Sequence, residues 1–289
     1  MAQDRKGNCA ALAIIRFVPF TIQSLLAPSR LPPLEARILL GYVLGRDRAW
    51  LAAHPEAEVE NDLATNFRAL CERRAMGEPV AYVIGEREFY GLRLHVTSAV
   101  LIPRPETELL VDLALERMAR ETRTRVLDLG TGSGAIALAI AHERSQAEVA
   151  ATDISPDALA VARQNAWRLG LRRVRFIESD WFASVPEETF DLIVSNPPYV
   201  AADDAHLRRG DVRFEPRQAL AAGHDGLDAL RVIAAEAPAF LAPGGWLLVE
   251  HGYDQGEACV ELLQHTGLVE VSTRYDLAGL PRVTLGCKT

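Results

Sequence analysis

Apolar positions along this chain follow two rhythms, and the change between them comes near residue 124. Between residues 21 and 78 the spacing is helical. Thr21-Ile-Gln-Ser-Leu-Leu-Ala runs up to a break at Pro32-Pro33, and Leu34, Ile38, Leu39, Tyr42 and Val43 then share one face of a second helix over 34–44. Leu63, Phe67, Leu70 and Cys71 mark one side of a third helix, over 60–77, with Gly77 as its stop. This region reads as all-helical and carries no catalytic constellation, so it is expected to be a recognition or lid domain. Residues 1–20 show no period and read as an extension. From Pro79 to Pro105 the pieces are short and β-prone. Val80–Ile84, Glu88–Gly91 and Leu92–Val96 are separated by Gly85 and Gly91, which predicts a hairpin linker. Pro105, followed by acidic residues, suits the first turn of a helix from about Glu106 to about Arg120.

Beyond Thr124, strands and helices alternate, the pattern of a parallel sheet covered on both faces. Strands are predicted at 125–129, 149–153, 174–177 and, through the apolar run Leu192-Ile193-Val194, before residue 196. Helices are predicted at 135–143, 155–170, 227–241 and 255–264, with further strands at 246–250, 269–275 and 283–286.

Candidate chemistry sits where these strands end. The fourth strand stops at Asn196-Pro197-Pro198-Tyr199, where two prolines remove two backbone donors and fix φ. A rigid loop results that presents an amide, prolyl carbonyls and an aromatic ring, at the strand end where open α/β sheets bind ligands. A Pro-Pro pair can also do no more than end a strand. Gly130-Thr131-Gly132-Ser133-Gly134 lies between a strand and a helix, where glycine lets a ligand lie against bare backbone. Its spacing differs from Gly-x-Gly-x-x-Gly, and no Gly-Lys-Ser/Thr follows. Asp153 ends the second strand, where a carboxylate can accept both ribose hydroxyls of an adenosine. Asp180-Trp181 ends the third, placing a carboxylate and an indole beside the expected adenine. A nucleoside without phosphates fits this set, S-adenosylmethionine better than NAD.

Composition narrows the partners. Among 289 residues, 49% are hydrophobic and 24% charged, as in ordinary globular proteins, and the length suits two domains. A formal charge of −8 argues against broad attraction to a phosphate backbone. The four cysteines form no Cys-x-x-Cys pair and the seven histidines show no ligand spacing, so no metal is expected. Free thiols suit a reducing compartment. The apolar run at 9–15 behind Arg5-Lys6 is interrupted by Arg16 and is too short to span a bilayer, so a cytoplasmic protein is expected.

From about Thr21 onward the chain resembles the class I S-adenosylmethionine-dependent methyltransferases, and more narrowly the HemK/PrmC-type release factor glutamine methyltransferases. The motifs that carry the likeness are Pro79–Gly85, Arg87–Gly91, Leu101-Ile-Pro-Arg-Pro-Glu-Thr-Glu108 and Asp128–Gly134, then Ser179–Phe182, Ser195–Tyr199, Glu215–Leu220 and Asp225–Asp228. The resemblance implies a Rossmann-like α/β fold with a seven-stranded mixed sheet and a small N-terminal helical domain joined by a β-hairpin linker. The divisions would be 1–20, 21–78, 79–105 and 106–289.

It also implies that Gly130–Gly134 hold the methionine part of S-adenosylmethionine, that Asp153 binds its ribose, and that the position of Trp181 flanks the adenine. Asn196, Pro197, Pro198 and Tyr199 would grip the glutamine of a Gly-Gly-Gln motif in class I release factors, with Asn196 also beside the cofactor. An amide nitrogen is a poor nucleophile. Acceptors on both its hydrogens, from the Asn196 side chain and the Pro197 carbonyl, would enrich and aim its lone pair, while the Tyr199 ring packs against the amide. No acid or base is assigned. A ribosomal-protein glutamine, an adenine amine in DNA, or a scaffold without turnover are the alternatives, and no direct nucleic-acid or membrane partner is expected.

Overall fold

The computed structural model describes residues 20–289, so the extension expected over 1–20 lies, but for Phe20, outside the described residues. The chain divides after Met76 into two compact units. The first contains β1 (Phe20–Thr21), α1 (Ile22–Leu26), α2 (Pro33–Leu44), α3 (Arg48–Ala53), β2 (Glu58–Val59) and α4 (Asn61–Ala75). Thr21 caps α1 by accepting from the Ser24 amide, and Gly45 ends α2 at φ 63°. Arg74 on α4 grips Glu35 on α2 through two bonds of 2.7 and 2.9 Å, over a core that includes Ile22, Leu39, Leu40 and Phe67.

This unit is not all-helical. β1 and β2 pair antiparallel, Phe20 opposite Val59, in strands too short to leave a period-two trace. The unforeseen α3 is likewise short, and is started by Asp47, whose carboxylate accepts from the Trp50 amide at 2.7 Å.

The second unit begins with a further correction. Val80–Ile84, expected to be β-prone, forms helix α5. Pro79 sets its entry, Gly85 ends it at φ 73°, and Ala81, Tyr82 and Val83 are buried on it, so tertiary packing overrides β propensity. The hairpin follows as β3 (Glu86–Phe89) and β4 (Leu92–His95). A 3-10 turn at Pro105–Thr107 leads into α6 (Glu108–Glu116), which ends short of the expected Arg120. Arg117 leaves the helix to lay its guanidinium over the Trp246 ring, 4.5 Å from its centre.

The remaining elements are β5 (Arg125–Leu129), α7 (Ala135–Glu143), β6 (Glu148–Asp153), α8 (Pro156–Arg168), β7 (Arg175–Glu178), β8 (Phe190–Ser195), α9 (Asp228–Phe240), β9 (Leu241–Glu250), α10 (Gly256–His265), β10 (Val269–Tyr275) and β11 (Pro281–Cys287). Among the described residues a seven-stranded sheet forms in the order β10-β11-β9-β8-β5-β6-β7. Strands β9, β8, β5, β6 and β7 run parallel, and β11 joins antiparallel, which makes the sheet mixed.

Alternate residues of the central strands feed two cores. Val126, Leu192, Val194 and Leu248 face α6 and α7, whereas Leu127, Leu129, Ile193, Leu247 and Val249 face α9 and α10. The chain leaves β5 for β6 and β7, then crosses back to place β8 on the other side of β5. That reversal opens a crevice at the carboxyl ends of β5 and β8.

Candidate active site

The glycine loop leaves β5 with Gly130, Gly132 and Gly134 at φ 70°, 55° and 84°, values that a side chain strains to adopt. Its shape is fixed from beneath. Asp128, fully buried, accepts from Thr131 Oγ1 at 2.6 Å and from the Ala137 amide at 3.2 Å through Oδ2, while Oδ1 is buried with no partner. Burial pushes its carboxyl up to about 7. Asn165 of α8 donates 2.9 Å bonds to the carbonyls of Ser133 and His95 and accepts from the His95 amide at 2.6 Å, tying loop, helix and hairpin together. From the side, Asp153 takes the Gly132 amide on Oδ2 at 2.8 Å and the Ser155 amide on Oδ1 at 2.9 Å. Burial raises its pKa, against the pull of these bonds.

Past β7, Trp181 adopts φ 46°, held by the Ser179 hydroxyl, which donates to its carbonyl at 2.9 Å. This turn brings the indole to the cavity. The opposite wall is the stretch after the hairpin. Arg104 pairs with the buried Glu215 at 2.5 Å, and the Ile102 amide donates to the same carboxylate at 3.0 Å. These bonds fasten residues 102–104 to the loop that supplies Pro216, Gln218 and Ala219 to the lining.

At the end of β8, Asn196 Nδ2 donates to Thr107 Oγ1 at 3.0 Å. Thr107 Oγ1 is the acceptor of this bond, so Asn196 presents Oδ1 as its remaining side-chain acceptor. Tyr199 directs its hydroxyl to Glu250 Oε1 at 3.3 Å, and its carbonyl accepts from Gln255 Nε2 at 3.0 Å. Burial and the Glu250 charge raise the Tyr199 pKa. These walls enclose a cavity of about 310 Å³, the size of a small-ligand site. Among the described residues no cluster of three or more His, Cys, Asp or Glu could hold a metal ion.

Comparison with known proteins is consistent across both units. The PrmC N-terminal domain model matches residues 21–85 and the Methyltransferase small domain model matches residues 106–211. The chain is 54% identical over 260 residues to the release factor glutamine methyltransferase of Xylella fastidiosa (strain 9a5c), covering 90% of this chain and 94% of that protein. To the Bordetella pertussis protein of the same name it is 54% identical over 266 residues, covering 92% and 98%. The chain belongs to the release factor glutamine methyltransferase family. Among solved structures, a methyltransferase from Pyrococcus furiosus shares the fold at a TM-score of 0.53 and 19% identity, over 75% of this chain and 96% of that one.

For this member of the family, the structure places most sequence-predicted residues around one space. Gly130, Thr131, Gly132, Ser133, Asp153, Asp180, Trp181, Asn196 and Pro198 line the cavity, and Gly134, Pro197 and Tyr199 do not. A Cβ on Gly134 would sit 3.0 Å from Leu138 Cδ1 and 3.3 Å from Ala162 Cβ, so this glycine permits close helix packing. Pro197 is buried under the loop, and the Tyr199 ring packs at the margin of the core beneath α9 and α10. Thr107, Asn165, Glu215 and Glu250 carry no role in the sequence reading. A carboxylate closing a strand is the signal that singles out Asp153, and Glu250 closes β9 in the same way.

Proposed function

We propose that this chain transfers a methyl group from S-adenosylmethionine to the side-chain amide nitrogen of the glutamine in the Gly-Gly-Gln motif of class I peptide release factors, in the cytoplasm, in support of translation termination. Family membership supports the reaction. The observation that carries the site assignment is that one cavity joins a glycine cradle, Asp153, Trp181 and an Asn196 amide held by Thr107.

These residues suit the cofactor. The Asp153 oxygens accept from the Gly132 and Ser155 amides, and a carboxylate has further lone pairs that suit ribose hydroxyls. A Cβ on Gly130 would come 3.6 Å from Trp181 Cζ3, an ordinary contact distance, so the loop and the indole face each other closely. When bound, S-adenosylmethionine supplies an electrophilic sulfonium methyl. Asn196 Oδ1 and the Pro197 carbonyl accept the two hydrogens of the substrate amide, which concentrates density on its nitrogen and fixes its direction. The nitrogen becomes acidic once alkylated, so a strong base before transfer is not required. The helical unit, 21–78, recognises the protein substrate in this reading, with 79–105 as the linker and 106–289 as the methyltransferase domain.

The test offers radiolabelled S-adenosylmethionine with release factor, ribosomal protein or adenine-containing DNA. Label is expected on the release-factor glutamine, and label on DNA alone overturns the proposal. Asn196→Ala should cut turnover by about 10²–10³-fold with cofactor affinity nearly intact. Comparable loss of cofactor affinity would show that the loop serves the cofactor instead.

A further inference from the structure

The sheet carries an apolar hairpin tip to the same end as the Asn-Pro-Pro-Tyr loop. Strands β8 and β9 run parallel, so their carboxyl ends share one edge of the sheet. β11 pairs antiparallel with β9, Val283 opposite Glu250, and therefore begins where β9 finishes. β10 pairs antiparallel with β11 and ends there, with Tyr275 opposite Pro281. The turn between them, residues 276–280, stands at the sheet end where the loop after β8 emerges. Two strand spacings of about 4.8 Å put the start of β11 about 10 Å from the end of β8. Direct contacts continue the link. The His251 amide donates to the Arg282 carbonyl at 2.9 Å. Gln255, which donates to the Tyr199 carbonyl at 3.0 Å, immediately precedes α10, where a Cβ on Gly256 would lie 3.4 Å from Pro281 Cβ.

The backbone of this turn is closely bonded. Asp276 Oδ1 accepts from the amides of Ala278, at 2.9 Å, and Leu280, at 3.0 Å, while Oδ2 accepts from Arg282 Nε at 3.3 Å and Nη2 at 3.1 Å. The Asp276 amide donates to the Leu280 carbonyl at 2.9 Å, and Gly279, at φ 76°, donates to the Asp276 carbonyl at 2.9 Å. On this frame Leu277 is fully exposed, with Leu280 and Tyr275 at 41% and 59% exposure beside it in the chain. Tyr253, on the loop between β9 and α10, is 62% exposed. Apolar side chains held out in water add nothing to the core, and such patches mark sites of association. Because the turn is already ordered by its own bonds, a partner does not have to fix it on binding.

We propose that the β10–β11 turn, with Leu277 at its tip and Tyr275, Leu280 and Tyr253 around it, is a docking surface for an apolar patch of the protein substrate next to the glutamine to be methylated. This rests on the reading that a folded release factor brings its amide to Asn196. A specific protein–protein contact covers roughly 800 Å² on each partner, equivalent to a disc of about 16 Å radius. A partner centred on Asn196 therefore covers the base of the turn, about 10 Å away. Leucine and tyrosine side chains offer that partner apolar area, whereas a nucleic-acid backbone would call for cations.

The experiment measures kcat, KM for intact release factor, calorimetric cofactor affinity and sedimentation of the full-length chain, for the wild type, Leu277→Asp, Leu277→Met and the double variant Tyr275→Ser/Leu280→Ser. Leu277→Asp and the double variant should raise KM by about tenfold, with kcat and cofactor affinity held within about twofold. Leu277→Met, which keeps the apolar contact, should stay near the wild-type KM. Since the Leu277 side chain lies in water, Leu277→Asp should unfold in urea as the wild type does, so its loss reports docking rather than folding. An unchanged KM in both Leu277→Asp and the double variant overturns the proposal, as does a fall in kcat at unchanged KM. A wild-type dimer that Leu277→Asp splits while KM holds also overturns it, because a second copy then covers the tip. Failure of the wild type to methylate release factor would instead overturn the reading of the substrate, so the two failures are distinguishable.

Discussion

Asp153 shows how one side chain can serve a ligand and the loop that cradles it. Its two oxygens hold the amides of Gly132 and Ser155, and the lone pairs that remain suit a ribose. Removing the carboxylate should therefore cost twice. Asp153→Ala is expected to weaken S-adenosylmethionine binding and to lower unfolding free energy by about 1–3 kcal/mol, since two charge-assisted bonds to backbone are lost. Asp153→Asn keeps one acceptor oxygen and should fall between. Calorimetric cofactor titration beside urea unfolding checks both, and a stability loss with unchanged affinity would reduce Asp153 to a brace. Asp153 is legible from sequence because its strand end is. Thr107, Glu215 and Glu250 are not, because their roles arise from partners 89, 111 and 51 residues away, and no local pattern in one sequence records such a pairing.

The same distinction holds between elements. The central parallel strands and the outer helices are plain in the sequence because β5, β6 and β8 are largely apolar on both faces and α8, α9 and α10 keep an apolar stripe. Helix α5 is hidden because Val80, Tyr82, Val83 and Ile84 carry strand propensity, whereas its helicity comes from burial between Pro79 and Gly85. What joins these elements at the site is side-chain polar chemistry. Asn165, 0% exposed, bridges α8, the end of β4 and the glycine loop through three bonds to backbone groups. Alanine there would strand two carbonyls and an amide away from water. Asn165→Ala should cost about 2–4 kcal/mol in urea unfolding and speed amide exchange in 130–134 beyond what global destabilisation explains. Exchange that rises uniformly across the sheet would show that the bridge supports the fold without selectively holding the loop.

Over the whole molecule, the ionisation of the site is set against the stability of the fold. Asp128 and Glu250 are both wholly buried, and burial holds each carboxyl near 7, above the ordinary values of 3.8 and 4.5. A carboxyl whose folded pKa is raised stabilises the fold below its unfolded pKa, and that contribution is lost as pH climbs through the folded value. Between about pH 4 and 7 each group should therefore lower stability as pH rises, by at most about 1.4 kcal/mol per pH unit. Asp225 and Asp276, whose carboxyls are held below the ordinary value by Arg231 and by the Leu280 amide respectively, contribute stability that is lost only as pH falls below about 4. The decisive quantity is accordingly a difference between variants. Asp128→Asn and Glu250→Gln should each give a flatter fall in stability from pH 5 to 8 than the wild type, measured by urea unfolding at each pH. Curves parallel to the wild type would show that the buried carboxylates ionise as readily in the fold as in the open chain.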